Sequence, residues 1–145
     1  MTLAQTGADP KRLVIEITEG IIIKNLEQTI TNMQILKKLG IRFSIDDFGT
    51  GYSSLAYLKQ LPIDELKIDR SFVCDIEVNQ NDAMIVDTIV SMAQHLNLDL
   101  IAEGVETQEE LDYLINCGCN SFQGYLLGLP IHGDNLIIRQ TVTAP

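Results

Sequence analysis

The chain has 145 residues, 46% of them hydrophobic, with ten glycines and four prolines, which is enough for one domain with a buried core and too apolar for a disordered segment. Twenty acidic against ten basic residues leave a net charge of −10, and the basic ones are scattered, so the electrostatic footprint of a partner for nucleic acid polymers is absent. No apolar run reaches the length of a membrane span. Three cysteines, Cys74, Cys117 and Cys119, an odd number without a secretory leader, point to a reducing, cytoplasmic setting.

The first ten residues carry little pattern, and Asp9-Pro10 reads as a turn. Leu13-Val14-Ile15-Glu16-Ile17 is apolar at nearly every position, as strands of parallel sheets are. A helix is predicted from Asn25 to Leu39: Asn25 and Gln28 have capping-box spacing, Leu26, Ile30, Met33 and Leu36 form a stripe, and Gly40 stops it. A second strand runs from Ile41 to Asp46. A short helix follows around Ser54 to Gln60, ended by Pro62, and a third strand spans Asp64 to Asp69. A long helix covers about Asn81 to Leu96, with Ile85, Ile89, Met92 and Leu96 on one face. Leu98 to Glu103 is the fourth strand. Thr107 and Glu110 make a capping box for a helix that turns Leu111, Leu114 and Ile115 inward and ends at Gly118. Asn120 to Gly124 is a short fifth strand, and the tail from Gly133 adds a terminal helix.

Strand and helix thus alternate through five βα units, the pattern of an α/β protein with a mainly parallel sheet. A doubly wound sheet and a piece of a barrel both fit. A closed eight-unit barrel needs about 250 residues, so five units make only part of one. No linker or repeat interrupts the chain, and residues 1–145 read as a single domain.

Polar groups gather where these strands end. Glu16 closes the first, with Glu19 just beyond. Asp46-Asp47 close the second and run into the glycine-rich stretch Phe48-Gly49-Thr50-Gly51. Lys67 and Asp69 lie in the third, Glu103 ends the fourth with Glu106 following, and Gln123 ends the fifth. In parallel α/β folds these ends share one edge, where sites form. Alternation sharpens the pattern: Lys67 faces away from Leu66 and Ile68, Asp46 shares a face with Ser44, and Glu103 with Ile101. Each residue alone has an ordinary explanation, as a solvated strand end, a helix cap or a snorkelling lysine. Five together point to a metal-assisted site.

The chemistry follows from the residue types. Two adjacent carboxylates at about 4 Å repel by roughly 4 kcal/mol at an effective dielectric near 20. Either one holds a proton or a cation sits between them. Carboxylates without histidine or thiolate partners favour hard cations, Mg²⁺ or Mn²⁺, over zinc. A pair of such ions suits phosphoester hydrolysis, with Lys67 stabilising charge on the phosphate or orienting a water. Other motifs fail. Gly49-Thr50-Gly51-Tyr52-Ser53-Ser54 lacks the third glycine of a dinucleotide fingerprint and the Gly-Lys of a P-loop. His95 reads as a helix-end residue and His132 as a loop residue, while Cys117-Gly-Cys119 reads as small core residues beside a helix-ending turn.

Glu16-Ile17-Thr18-Glu19, Asp46-Asp47-Phe48-Gly49-Thr50-Gly51-Tyr52-Ser53-Ser54-Leu55, Leu66-Lys67-Ile68-Asp69, Ala102-Glu103-Gly104-Val105-Glu106-Thr107 and Gln123-Gly124-Tyr125 together resemble the EAL domain family of bacterial cyclic di-GMP phosphodiesterases, over about residues 6–131. The resemblance implies a modified TIM barrel that hydrolyses cyclic di-GMP to linear pGpG with two Mg²⁺ or Mn²⁺ ions. It implies metal ligation by Glu16, Asp46 and Asp47, with Asp46 bridging. Lys67, Glu103 and Gln123 become catalytic, Glu19 anchors the 47–55 loop, and Asp69 and Glu106 shape the substrate face. It also implies a homodimer through the 47–60 region, and sensory or diguanylate-cyclase domains in a longer protein.

There are departures from the family pattern. No Glu-Ala-Leu occurs, so that glutamate and an asparagine ligand are expected in an N-terminal part outside this chain, together with about three barrel strands. Leu127-Gly128-Leu129-Pro130 stands where the family has a Phe-Ser-Lys-Pro type of sequence. An isolated half-barrel with exposed edges is expected to be weak or inactive, and a non-hydrolysing cyclic di-GMP-binding or interaction module is the alternative.

Overall fold

A computed structural model describes residues 5–20, 25–51 and 55–132. Five strands, β1 (Val14–Thr18), β2 (Arg42–Phe48), β3 (Glu65–Ile68), β4 (Asp99–Glu103) and β5 (Ser121–Gln123), form one sheet in sequence order. Each neighbouring pair is parallel. The fold is therefore the α/β arrangement of barrel-type βα units. The terminal helix expected after Gly133 lies outside the described residues.

The helices are α1 (Leu26–Lys37), α2 (Leu55–Leu58), α3 (Arg70–Val73), α4 (Gln80–Leu96) and α5 (Gln108–Cys117), with a 3₁₀ turn at Pro10–Arg12. Local chemistry sets their ends. The Asn25 side chain accepts from the Gln28 N–H at the start of α1. Asn79 caps α4, which ends at Asn97 in a left-handed conformation. Thr107 and Glu110 form a complete capping box for α5, and Gly118 at φ +99° ends it. The sequence pattern gave no sign of α3, a single turn capped by Asp69 through the Ser71 N–H.

The core lies between the helix-side face of the sheet and α4 and α5. Phe43, Ile45, Phe48, Leu66, Ile68 and Ala102 supply the sheet side, and Val86, Ile89, Val90, Ala93 and Leu114 the helix side. Two expectations about helix faces need correction. The buried stripe of α4 is Val86, Ile89, Val90 and Ala93, whereas Ile85, Met92 and Leu96 are only half-buried. On α5, Ile115 is exposed while Leu114 is buried. An apolar period alone does not fix the rotation of a helix about its axis, so neighbouring positions exchange between core and rim. Cys119 is in the core, but Cys117 is only half-buried, and its thiol lies 3.1 Å from Asp87 Oδ1.

One irregularity positions the site. β2 pairs Ile45 with Leu66 and Phe48 with Ile68, so Asp46 and Asp47 together oppose Lys67 alone. This is a β-bulge, and within it Asp47 takes a left-handed backbone conformation, φ +53°. The second strand thus runs two residues past Asp46, where a loop was expected. The extra residue resets the alternation: Phe48 returns to the core, and both aspartates stay at the polar edge.

Candidate metal and catalytic site

Strand ends deliver the charged groups to one edge. Lys67 stands between Leu66 and Ile68, both fully buried, and points to the opposite face. Its side chain is only 6% exposed, and its Nζ lies 2.6 Å from Glu103 Oε1, 3.0 Å from Asp46 Oδ1 and 3.0 Å from Glu16 Oε1. Three carboxylates from three strands therefore converge on one ammonium. Burial acts to lower the pKa of Lys67, but the hydrogen bonds to Glu103, Asp46 and Glu16 outweigh it and hold the lysine protonated well above the ordinary lysine range.

A second grouping overlaps this one. Asp46, Asp47 and Glu103 each offer a carboxylate oxygen within 4.8 Å of the others. Asp47 has its pKa raised, first by desolvation, then by the charges of Asp46 and Asp69 and by a hydrogen bond with Asp69. Asp69 is shifted the other way: burial would raise its pKa, but the Ser71 hydroxyl and backbone N–H stabilise its carboxylate. Asp47 is thus the carboxyl that gains from a proton, or from any cation, placed beside it. All-oxygen donors, converging and charge-stressed, fit a hard divalent ion.

Glu16 differs from the other Lys67 partners in being 52% exposed, because β1 is an edge strand. It contacts Lys67 but lies outside the Asp46–Asp47–Glu103 grouping. Gln123 sits opposite Glu103 in the β4–β5 ladder and is exposed. Glu19 is buried beneath the glycine-rich loop, where its Oε1 accepts from the Gly49 N–H at 3.1 Å. Glu106 stands apart at the rim, ion-paired to Arg70 at 2.8 Å. Its own N–H donates to Glu110 Oε2 in the α5 capping box.

Several residues that matter here carry no signal in the sequence beyond their type. A β-carbon on Gly124 would fall 2.0 Å from the Val105 carbonyl oxygen. Backbone bonds from Val105 N–H to Gln123 O, and from Leu126 N–H to Val105 O, zip the β4 and β5 loops together there. Gly104, at φ +72°, lies under the Arg70 side chain, and Gly51 lies against Glu19. Asp64 binds Lys37 Nζ at 2.6 Å and the Phe43 N–H at 2.9 Å, tying α1 and β2 to the start of β3. Each of these contacts joins residues far apart in the chain, so spacing alone does not reveal them.

The sequence profile of the EAL domain matches residues 1–130. The chain is 44% identical over 135 residues to MucR of Pseudomonas aeruginosa, described as a bifunctional diguanylate cyclase/cyclic di-GMP phosphodiesterase. That match covers 93% of this chain and 20% of MucR. It is 49% identical over 129 residues to the cyclic di-GMP phosphodiesterase NbdA of the same organism, covering 89% of this chain and 16% of NbdA. The solved MucR phosphodiesterase in complex with cyclic di-GMP superposes with a TM-score of 0.89, over 93% of this chain and 55% of that one. Klebsiella pneumoniae BlrP1, solved with manganese and cyclic di-GMP, superposes at 0.79 and 36% identity, over 86% of this chain and 32% of BlrP1. The chain therefore spans about a fifth of the curated relatives it matches, and about half of the solved MucR domain.

Proposed function

The chain belongs to the EAL domain family, and from that premise we propose that it carries the C-terminal five βα units of a single phosphodiesterase barrel, a site that opens cyclic di-GMP to linear pGpG. The observation that carries this reading is the convergence of Glu16, Asp46 and Glu103 on Lys67, beside the Asp46–Asp47–Glu103 grouping. We assign Asp46 and Asp47, with Glu16, to hold the ions, Mg²⁺ or Mn²⁺. When bound, these supply Lewis acidity that lowers the pKa of a water and offsets phosphate charge.

The chain's own residues do the rest. Lys67, whose three donors go to Glu16, Asp46 and Glu103, places a fixed positive charge beside the reacting phosphate. Glu103, accepting from Lys67, takes the water's proton, and Gln123 beside it orients that water. The water oxygen bonds to phosphorus as the P–O3′ bond breaks, the 3′ oxygen takes a proton from solvent water, and Glu103 returns its proton to solvent, which gives pGpG. Glu19 holds the 47–55 loop through Gly49, and Asp69 and Glu106 line the substrate face.

A surface for self-association through 47–60 is part of the proposal, supported by an apolar cleft of about 450 Å³ lined by Gly49, Met84, Ile85 and Ile89 beside it. A diguanylate-cyclase domain in the same protein is supported by the bifunctional nature of MucR, and a sensory domain is proposed beside it. A cytoplasmic setting is part of the proposal, supported by three cysteines of which none is in a disulfide; no helix among the described residues is long and apolar enough to cross a membrane.

The test is to incubate the chain with cyclic di-GMP and Mg²⁺ or Mn²⁺ and resolve the products by chromatography. The expected product is pGpG, formed slowly by this chain alone and lost in Glu103→Gln. Binding without turnover, even when the remaining strands of the barrel are supplied, replaces the enzyme reading with that of a cyclic di-GMP-binding module.

A further inference from the structure

We propose that Arg70 is a positioning residue: it pins the turn after β4 and so holds the Glu103 carboxylate within the Asp46–Asp47–Glu103 grouping. The inference rests on the reading of that grouping as an ion site. Glu103 is the last residue of β4, and the chain leaves the strand at Gly104 with φ +72°. The direction of a side chain at a strand end depends on what fixes the turn that follows it. A swing of this turn carries Glu103 away from Asp46 and Asp47, whose carboxylate oxygens it meets within 4.8 Å.

The turn is held from two sides. On the β5 side the Val105 N–H donates to the Gln123 carbonyl at 3.1 Å, and Val105 is fully buried. On the β3 side lies Arg70, the first residue of α3. A β-carbon on Gly104 would stand 2.2 Å from Arg70 Cγ, 2.7 Å from its Cβ and 2.8 Å from its Cδ, so the stem covers the turn directly. Beyond the stem, one terminal nitrogen pairs with Glu106 Oε1 at 2.8 Å, and Nε donates to Cys74 Sγ at 3.3 Å. Arg70 thus grips the first and the third residue after Glu103.

The base of this arm is fixed as well. Asp69, the residue before it, accepts from the Ser71 N–H at 3.0 Å and shares a hydrogen bond with Asp47. Arg70 therefore links the turn behind Glu103 to the loop that faces Asp47. Its ion pair is open to solvent, with Arg70 57% and Glu106 38% exposed, so it adds little to global stability. The effect falls on geometry instead, as it does for groups that stand behind a ligand and orient it.

The sign of one measurement separates positioning from charge. A positive group near an ion site repels the ion, so on charge alone the loss of Arg70 strengthens Mn²⁺ binding. Positioning demands the reverse. The test compares Arg70→Ala, Arg70→Met and Arg70→Lys with the unaltered chain, by calorimetry with Mn²⁺ and by melting with chelator present. Arg70→Ala is expected to bind Mn²⁺ about 10-fold more weakly while melting close to the parent. Arg70→Met, which keeps a stem over Gly104, falls between, and Arg70→Lys, which keeps stem and charge, stays near the parent. Mn²⁺ binding by Arg70→Ala as tight as the parent's, or tighter, overturns the assignment. So does a melting temperature of Arg70→Ala well below the parent's with chelator present, which marks Arg70 as a brace of the fold. Neither readout needs turnover: a chain that binds Mn²⁺ but forms no pGpG loses the phosphodiesterase reading and leaves the Mn²⁺ comparison to decide on Arg70. A chain that binds no Mn²⁺ loses both.

Discussion

Gly51 lies so close to Glu19 that a β-carbon there would stand 2.1 Å from Glu19 Oε2. The same carboxylate accepts from the Gly49 N–H through its other oxygen, and it is buried. The glutamate therefore senses the position of the loop that follows Asp47. Gly51→Ala must push this flexible acid aside, and with it the Gly49 hydrogen bond. We expect a stability loss of about 1 kcal/mol in urea melts, together with a much larger loss of divalent-ion affinity measured by calorimetry. A variant that binds Mg²⁺ as the parent does would separate Glu19 from the site.

Gly124 is the opposite case, because the atoms a side chain would meet are backbone. The added carbon would lie 2.0 Å from the Val105 oxygen and 2.3 Å from its nitrogen, and neither can rotate away. Gly124→Ala must separate the β4 and β5 loops that carry Glu103 and Gln123. We expect a loss of about 3 kcal/mol by urea melting, with no recovery on adding Mg²⁺.

The contrast shows what could be read in the sequence and what could not. Apolar runs and capping residues announced five strands and the longer helices, because these are local in sequence. The same runs placed Glu16, Lys67, Glu103 and Gln123 at strand ends. They did not announce the bulge. In a regular strand adjacent aspartates point to opposite faces, and only the pairing of Phe48 with Ile68 shows that Asp46 and Asp47 stay together. Nor could spacing show that Arg70 crosses Gly104 to reach Glu106, a contact closed only when β3 lies beside β4.

Lys67→Met tests how the ammonium and a divalent ion share the same carboxylates. Without the lysine, Glu16, Asp46 and Glu103 face one another with no compensating charge. The metal-free chain should lose about 3 kcal/mol in urea melts with chelator present, with Glu16 contributing least because it is half-exposed. Added Mg²⁺ should return more stability to this variant than to the parent, because it supplies the missing positive charge. Hydrolysis should be lost even where stability returns.

Cys117 offers a check on electrostatics away from the site. Its pKa is pushed up to about 12, first by burial and then by the hydrogen bond and charge of Asp87. Tyr113, which shares Asp87, is also pushed up to about 12. At pH 8 roughly one Cys117 in ten thousand is then a thiolate. Alkylation followed by site-resolved mass spectrometry should find Cys117 nearly inert. Asp87→Asn removes the neighbouring charge and should speed its modification at least several-fold. An unchanged rate would mean that access, not ionisation, limits the reaction.

Asp47→Asn gives the clearest pH signature. The Asp47 pKa is raised from its ordinary 3.8 by partial desolvation of the carboxyl, then by Asp46 and Asp69. A carboxyl whose folded pKa exceeds its unfolded value favours folding when protonated. That contribution is complete below the unfolded pKa and disappears as the pH rises through the folded one. At pH 7 the metal-free chain thus carries an ionised Asp47 at a disadvantage. Asparagine keeps the shape, tolerates φ +53° and has no charge. The variant should melt slightly higher than the parent at pH 7 with chelator present, the gain being small because Asp47 is solvent-exposed. The difference should close toward pH 3, where the parent's Asp47 is protonated. With saturating Mg²⁺ the order should invert, because the parent gains the ion's binding energy and the variant has lost a ligand. Melting curves from pH 3 to 8, with and without Mg²⁺, read all three effects. A variant that gains as much from Mg²⁺ as the parent would remove Asp47 from the ion site.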